Sequence, residues 1–253
     1  MLKGKVIIVT GGGSGIGRAA ALLFARDGAR VMIADIDGMK AEGTAMEIDA
    51  NGGEAISLAC DVADEASVRT MVTTAVECFG RLDAAFNNAG VEFHGKLLPD
   101  LSGEDWSRVR AINLDGVFYC MKHEIAAMRL SGGGSIVNTA SVAAVTSQMG
   151  MADYSGSKAG VTGITRAAAA EFGQTGVRVN AVLPGIIRTP MTEERLLNNP
   201  ETQAVLAPLL DRHSVGRFGE PEDVAQAARW LLSDLAAYVN GVSLPVDGGY
   251  VAR

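Results

Sequence analysis

The sequence is short of cysteine, of positive charge and of long apolar runs, and each shortage excludes something. Three cysteines, Cys60, Cys78 and Cys120, are odd in number and carry no metal-ligand spacing, so neither a disulfide framework nor a zinc site is expected. Each lies among apolar neighbours, which predicts small core residues in a reducing compartment. No His, Cys or carboxylate cluster has metal-site spacing, so no metal is expected. No apolar run approaches the roughly 20 residues of a membrane span. A strand pattern within the first few residues predicts that there is no leader peptide. With 22 Lys and Arg against 29 Asp and Glu the net charge is −7, which argues against nucleic acid or an anionic membrane as partner. No repeat, low-complexity tract or linker marks a second domain, so residues 1–253 read as one domain of a soluble cytoplasmic protein.

What is present is alternation. Apolar runs at Lys5–Val9, Arg30–Ala34, Ala55–Cys60, Asp83–Phe86, Ser135–Asn138, Arg178–Leu183 and Val242–Val246 predict strands. Between them Gly15–Gly28, Met39–Ala50, Asp64–Phe79, Gly103–Leu130, Tyr154–Gly173 and Glu220–Leu235 are long enough for helices. The runs are nearly all apolar rather than alternating, as expected of strands covered on both faces. The fold class predicted is α/β, a Rossmann-like doubly wound parallel sheet of seven strands with helices on both faces. One stretch breaks the rhythm. From Pro184 to about Glu220 no strand is legible, and residues 185–219 read as an irregular insertion. Its Ile186, Met191, Leu196, Leu197, Val205, Leu206 and Leu209 suit either an apolar lid or a face by which the segment docks.

TGGGSGIGRAA, Thr10 to Ala20, follows the first strand and holds five glycines in eleven residues. Gly11 allows a tight turn, Gly15 lets backbone approach a ligand, and Gly17 permits close helix packing. The free N–H groups at this helix start, from Ser14 through Ile16, favour a pyrophosphate. An ordinary strand-to-helix loop remains the plainer alternative. Against it stands Asp35, 18 residues past Gly17 at the end of the second strand, near the spacing expected of an acid on the adenosine ribose. No Lys or Arg occupies Ser14 or Ile36 to receive a 2′-phosphate. A carboxylate about 4 Å from a phosphate is repelled by several kcal/mol at an effective dielectric near 20. NAD is therefore expected over NADP.

The spacing G-x-x-x-G-x-G resembles the cofactor loop of the short-chain dehydrogenase/reductase family, and the resemblance runs nearly end to end. NNAG at Asn87–Gly90, Asn113, Ser141, the pair Tyr154/Lys158 in YSGSK, Pro184-Gly185 with Thr189, and VDGG at Val246–Gly249 follow in the family's order. The resemblance implies a catalytic set of Asn113, Ser141, Tyr154 and Lys158. It implies that Asn113 interrupts a helix and holds a water through which the lysine reaches solvent, and that Lys158 bonds the nicotinamide ribose. It further implies cofactor contacts from Asp61 and Val62 at the adenine, Asn88 and Gly90 on the nicotinamide side, and Ile187 and Thr189 at the carboxamide. Asn87 and Asn88 suit a structural turn equally well. Asn240, in YVNG, is unusual for the pattern.

Tyr154 and Lys158 are four apart in a helical segment and so share a face. An ammonium about 4 Å from a phenol favours phenolate by up to roughly 4 kcal/mol at that dielectric, which lowers the pKa toward neutrality. Tyr154 is then the expected general base toward an alcohol, and the general acid in reverse. Ser141 closes SIVNTAS at a strand's carboxyl end, where it can hold the substrate oxygen. Phe93, His94, Met149, Met151 and Met191 are expected on the substrate side, the methionines suiting a bulky ring. The expected activity is interconversion of a secondary alcohol or diol, cyclic or bulky, and its ketone with NAD. The alternatives are a ketone or 3-oxoacyl reductase, and a catalytically silent NAD-sensing protein. The resemblance implies a homotetramer built through the two long helices.

Overall fold

The computed structural model describes residues 1–92, 95–193 and 203–252. Among them β1 (Val6–Thr10), β2 (Arg30–Asp35), β3 (Glu54–Ala59), β4 (Ala84–Asn87), β5 (Gly134–Thr139), β6 (Val177–Pro184) and β7 (Ser243–Val246) form one sheet. Its order is β3-β2-β1-β4-β5-β6-β7 and every pairing is parallel. The predicted seven-stranded fold class is therefore what the chain adopts. β1 is buried at all five positions. Val6 and Ile8 enter one core layer and Ile7 and Val9 the other, so the absence of polar alternation has a direct cause.

Nine helices carry the chain between and beyond the strands among the described residues: α1 (Gly15–Arg26), α2 (Gly38–Ala50), α3 (Glu65–Phe79), α4 (Gly103–Arg110), α5 (Gly116–Leu130), α6 (Ala152–Phe172), α7 (Pro190–Thr192), α8 (Gln203–Asp211) and α9 (Pro221–Leu232). α1, α2 and α9 bury their apolar faces on one side of the sheet, and α3, α5 and α6 on the other. Phe24 of α1 meets Phe86 of β4 edge to face at 6.2 Å, a geometry worth about 1 kcal/mol beyond burial. The chain runs outward through β2 and β3, then crosses back to β4 on the far side of β1. The strand order reverses between β1 and β4, and a crevice opens at such a switch point beyond the carboxyl ends of the strands.

Three expectations change. The helix expected over Gly103–Leu130 is interrupted by a π turn at Ala111–Asp115, because an extra residue there shifts the hydrogen-bond ladder. The insertion expected to be irregular holds α7 and α8, and Ile187 pairs with Gly219 in an isolated parallel bridge. Arg188 N donates to Gly219 O at 2.8 Å and Gly219 N to Ile186 O at 2.9 Å, so the segment leaves and returns at one place. Cys78 is exposed, not buried. The inward positions of α3 are Val68, Met71, Val72, Ala75 and Phe79, and Cys78 falls on the opposite side of that stripe. Cys60 and Cys120 are buried as expected. Asn240 replaces a strand partner: Val179 N donates to its Oδ1 at 2.9 Å, and its Nδ2 donates to Ala169 O at 3.0 Å.

Candidate active site

At the β1/β4 switch point lies a crevice of about 770 Å³. On its dinucleotide side it is lined by Gly11, Ser14, Gly15, Ile16, Asp35, Asp61 and Val62. Asn88, Gly90, Pro184, Gly185, Ile187 and Thr189 follow, with Ser141, Tyr154 and Lys158 at the centre. Met149, Met151 and Met191 line it too, whereas Phe93, His94, Leu196 and Leu197 lie outside the described residues. Gly17 and Asn113 stand behind the wall.

The glycine loop is built tightly. A Cβ on Gly17 would sit 2.1 Å from Gly11 O and 2.7 Å from Asn88 Nδ2. The third glycine thus packs against the loop itself, where the sequence expectation had only the close approach of helix to sheet. Asn88 ties the loop down. Its backbone N–H and that of Ala89 both donate to the Thr10 hydroxyl, at 3.0 and 3.1 Å, while its Nδ2 reaches Thr10 O at 3.2 Å. Asn88 is therefore both a structural link and a lining residue. Asp37, Asp64 and Ser102 cap α2, α3 and α4 with side-chain acceptors, but Ser14 makes no such bond at α1. Among the described residues the first-turn amides of α1 have no side-chain cap, no acidic residue sits in that turn, and the crevice passes over it. That arrangement fits a diphosphate. Asp35 Oδ2 accepts from Gly13 N and Oδ1 from Asp37 N, each at 3.0 Å, which fixes the carboxylate at the end of β2. The chain's residues fit a dinucleotide.

Lys158 is 3% exposed, and its Nζ donates to Thr139 O at 2.8 Å and lies 5.6 Å from the Tyr154 ring centroid. Ser141 hydrogen-bonds the phenol, which favours the phenolate, yet burial outweighs this and pushes Tyr154 up to about 12. Burial lowers Lys158 to about 8. The expectation of a phenol pulled toward neutrality by its lysine is thereby corrected. Removal of each group from water disfavours its charged form, and the lysine, whose Nζ is bonded to the Thr139 carbonyl, does not reverse this for the phenol.

Asn113 sits in the π turn, wholly buried. Its Oδ1 accepts from Val91 N at 2.8 Å and its Nδ2 donates to Val91 O at 2.9 Å. The helix is interrupted as expected, and the side chain fixes the backbone just past Gly90. A Cβ on Gly90 would lie 3.0 Å from Asn113 Oδ1 and 3.5 Å from Lys158 Nζ, so the four candidate residues meet around one strand end.

Beneath them runs a buried polar chain that sequence inspection missed. Asn87 Nδ2 donates to Glu124 Oε2 at 2.9 Å and to Asn138 Oδ1 at 3.0 Å; Asn138 Nδ2 donates to Thr165 Oγ1 at 2.9 Å. The chain links β4, β5, α5 and α6, fixing the strand whose Thr139 holds Lys158. Burial raises Glu124 from 4.5 to about 8. The native state binds the extra proton between those values, so this contribution to stability is full below pH 4.5 and is lost as pH rises toward 8. Glu124→Gln is expected to flatten the fall in Tm between pH 6 and 8 in thermal unfolding. An unchanged slope would mean that the carboxyl is already ionised.

Tyr250 and Gln148 also line the crevice. Neither was expected; the aromatic after VDGG was the available signal for the first.

A parallel sheet with this glycine loop, and with Ser141, Tyr154 and Lys158 at its switch point, defines a nicotinamide-dependent dehydrogenase or reductase. A family model described as Enoyl-(Acyl carrier protein) reductase matches residues 11–251, and the chain belongs to the short-chain dehydrogenase/reductase family. It is 47% identical to a 2,5-dichloro-2,5-cyclohexadiene-1,4-diol dehydrogenase of Sphingobium indicum, covering 99% of this chain and 98% of the relative. It is 41% identical to a cyclohexanol dehydrogenase of an Acinetobacter species, covering 98% and 96%. A crystal structure of a levodione reductase superposes with a TM-score of 0.96 at 36% identity, over 100% of both chains. The chain is an oxidoreductase that interconverts a secondary alcohol and its ketone with a nicotinamide cofactor.

Proposed function

We propose that the protein oxidises a cyclic secondary alcohol or diol and uses NAD rather than NADP. The observation that carries this reading is the meeting of buried Ser141 and Lys158 with half-buried Tyr154 in one crevice with the glycine loop and Asp35. Names of the relatives support a ring-shaped substrate, and Met149, Met151 and Met191 supply an adaptable apolar wall.

Gly11, Ser14, Gly15, Ile16 and Gly17 would hold the diphosphate, and Asp35 the adenosine ribose. Asp61 and Val62 would lie at the adenine, with Asn88, Gly90, Pro184, Gly185, Ile187 and Thr189 toward the nicotinamide. When bound, the cofactor supplies the hydride acceptor or donor and, in its oxidised form, a positive charge. Tyr154 Oη moves the substrate proton. At about 12 the phenol holds its proton at neutral pH, which suits donation to a carbonyl; as a base it needs added positive charge nearby. Ser141 holds the substrate oxygen while its charge changes. Lys158 keeps its charge beside the phenol, anchored by Thr139 O. Asn113 fixes Val91 and so the wall next to Lys158. Ile186, Met191 and Leu209 of the 185–219 segment would cover the crevice as a lid.

A panel of cyclic, aromatic and aliphatic secondary alcohols, followed by NADH absorbance, tests the reading. Turnover of cyclic members is expected; activity confined to 3-oxoacyl thioesters would favour the acyl-reductase alternative, and no turnover at all the sensor. Cytoplasmic placement belongs to the same reading and is supported by the buried thiols Cys60 and Cys120.

A homotetramer is supported by Trp106 of α4 and Phe118 of α5, large apolar side chains exposed at 40% and 49%. Light scattering is expected to give about four times the 26.2 kDa chain mass, with Phe118→Asp lowering it. A monomer mass for the parent protein would overturn the assembly and leave the chemistry standing.

A further inference from the structure

We infer that Gln148 and Tyr250 form a second oxygen site, so that the preferred substrate is a six-membered ring bearing a second hydroxyl or keto oxygen across from the reacting one. This rests on the reading above that the substrate is a cyclic alcohol or diol, and it assigns the residues that tell the two apart.

Tyr250 reaches the crevice by a built route. Past β7, Asp247 Oδ1 accepts from Gly249 N and Oδ2 from Val251 N, each at 2.9 Å. Gly248 and Gly249 take φ of +59° and +82°, values that side-chain-bearing residues rarely adopt, and the chain turns back. Ser214 Oγ and Val215 N both donate to Gly248 O, at 3.0 and 3.2 Å, which seats the turn on the segment after α8. The ring is then clamped. The Arg212 guanidinium lies 3.9 Å from its centroid and the His213 ring 5.1 Å, and only 2% of the residue is exposed. A phenol held this firmly presents its oxygen without further ordering cost.

That oxygen meets one side chain. Gln148 Nε2 donates to Tyr250 Oη at 2.7 Å. With the amide in this orientation, among the described residues the phenolic proton has no acceptor and Gln148 Oε1 no donor. With the amide turned over, the phenol donates to Oε1 and the NH₂ group stays open. Either way the pair keeps a donor for a ligand oxygen. Gln148 arrives on the loop after β5, seven positions past Ser141, and Met149, Met151, Met191 and Leu209 line the same crevice. A few fixed polar atoms among apolar side chains orient a ligand in a pocket of this kind. Ser141 and Tyr154 take one oxygen of a ring, and the Gln148–Tyr250 pair takes the other.

The test compares kcat/KM for trans-cyclohexane-1,4-diol and cyclohexanol, with the nicotinamide cofactor saturating, in the parent protein, Tyr250→Phe and Gln148→Leu. Tyr250→Phe keeps the clamped ring, and Gln148 is exposed, so the second variant leaves the core untouched. The parent is expected to favour the diol, and in both variants the diol-to-cyclohexanol ratio is expected to fall about tenfold, chiefly through KM. A parent without preference for the diol, or variants that lose both substrates in equal proportion, would overturn the second oxygen site and leave the cyclic-alcohol reading intact. Turnover of neither substrate by the parent would overturn both.

Discussion

Tyr154→Phe is expected to lower kcat by about two to four orders of magnitude, the range over which a positioned proton donor or acceptor acts. Affinity for the reduced cofactor, read from its fluorescence, is expected to stay within about twofold, since the change leaves the Asp35 end of the crevice untouched. The variant removes one oxygen and keeps the ring beneath the Lys158 ammonium, so packing around α6 survives. Because the phenol sits at about 12 and the lysine at about 8 in the protein alone, the oxidation rate is also expected to rise with pH up to about 8, above which Lys158 loses the charge that the base needs. A variant that kept most of its turnover would remove Tyr154 from the chemistry. A parent protein that bound dinucleotide and turned over no alcohol or ketone would point to a sensor.

The second large effect concerns Asp35. Its carboxylate accepts two amides and still faces the crevice with its charge. A 2′-phosphate about 4 Å away meets roughly 4 kcal/mol of repulsion per unit charge at an effective dielectric of 20. The parent is expected to use NAD at least about a hundredfold better than NADP, by the same estimate discounted for solvent. Asp35→Asn keeps an acceptor for the loop while removing the charge, and is expected to narrow that gap by about tenfold or more. Equal use of both cofactors by the parent would sink the ribose assignment.

Much of this was legible in the residues, for physical reasons. β1, β2, β4, β5 and β6 announced themselves because a strand covered on both faces has little polar alternation, the half-buried edge strands β3 and β7 were legible by their place in the alternation of elements, and glycine in the Thr10–Gly17 loop has few uses other than close approach. Tyr154 and Lys158 were legible because four residues make one helical turn. Less could be read where distant parts of the chain decide. The π turn at Ala111–Asp115 uses residues that suit an α-helix equally well. Spacing brought the lysine to the phenol but carried no measure of burial, which reverses the direction of the Tyr154 shift. Tyr250 and Gln148 meet across 102 positions, and only the folded turn after β7 brings them together. Glu124 looked like one more charged helix residue until its surroundings closed over it.

The single pairing of Ile187 with Gly219 closes the stretch between them at its two ends, and Arg212–Val215 tie it further to the turn that carries Tyr250. Its two ends are stitched side by side, so the part before Arg212 could be recomposed while β6, α9 and the Tyr250 turn stay in register. One part of the substrate wall, Met191 and Leu209, is thereby carried by a stretch that supplies no residue to the proton chemistry, and that part can drift or be engineered without rebuilding Tyr154 and Lys158.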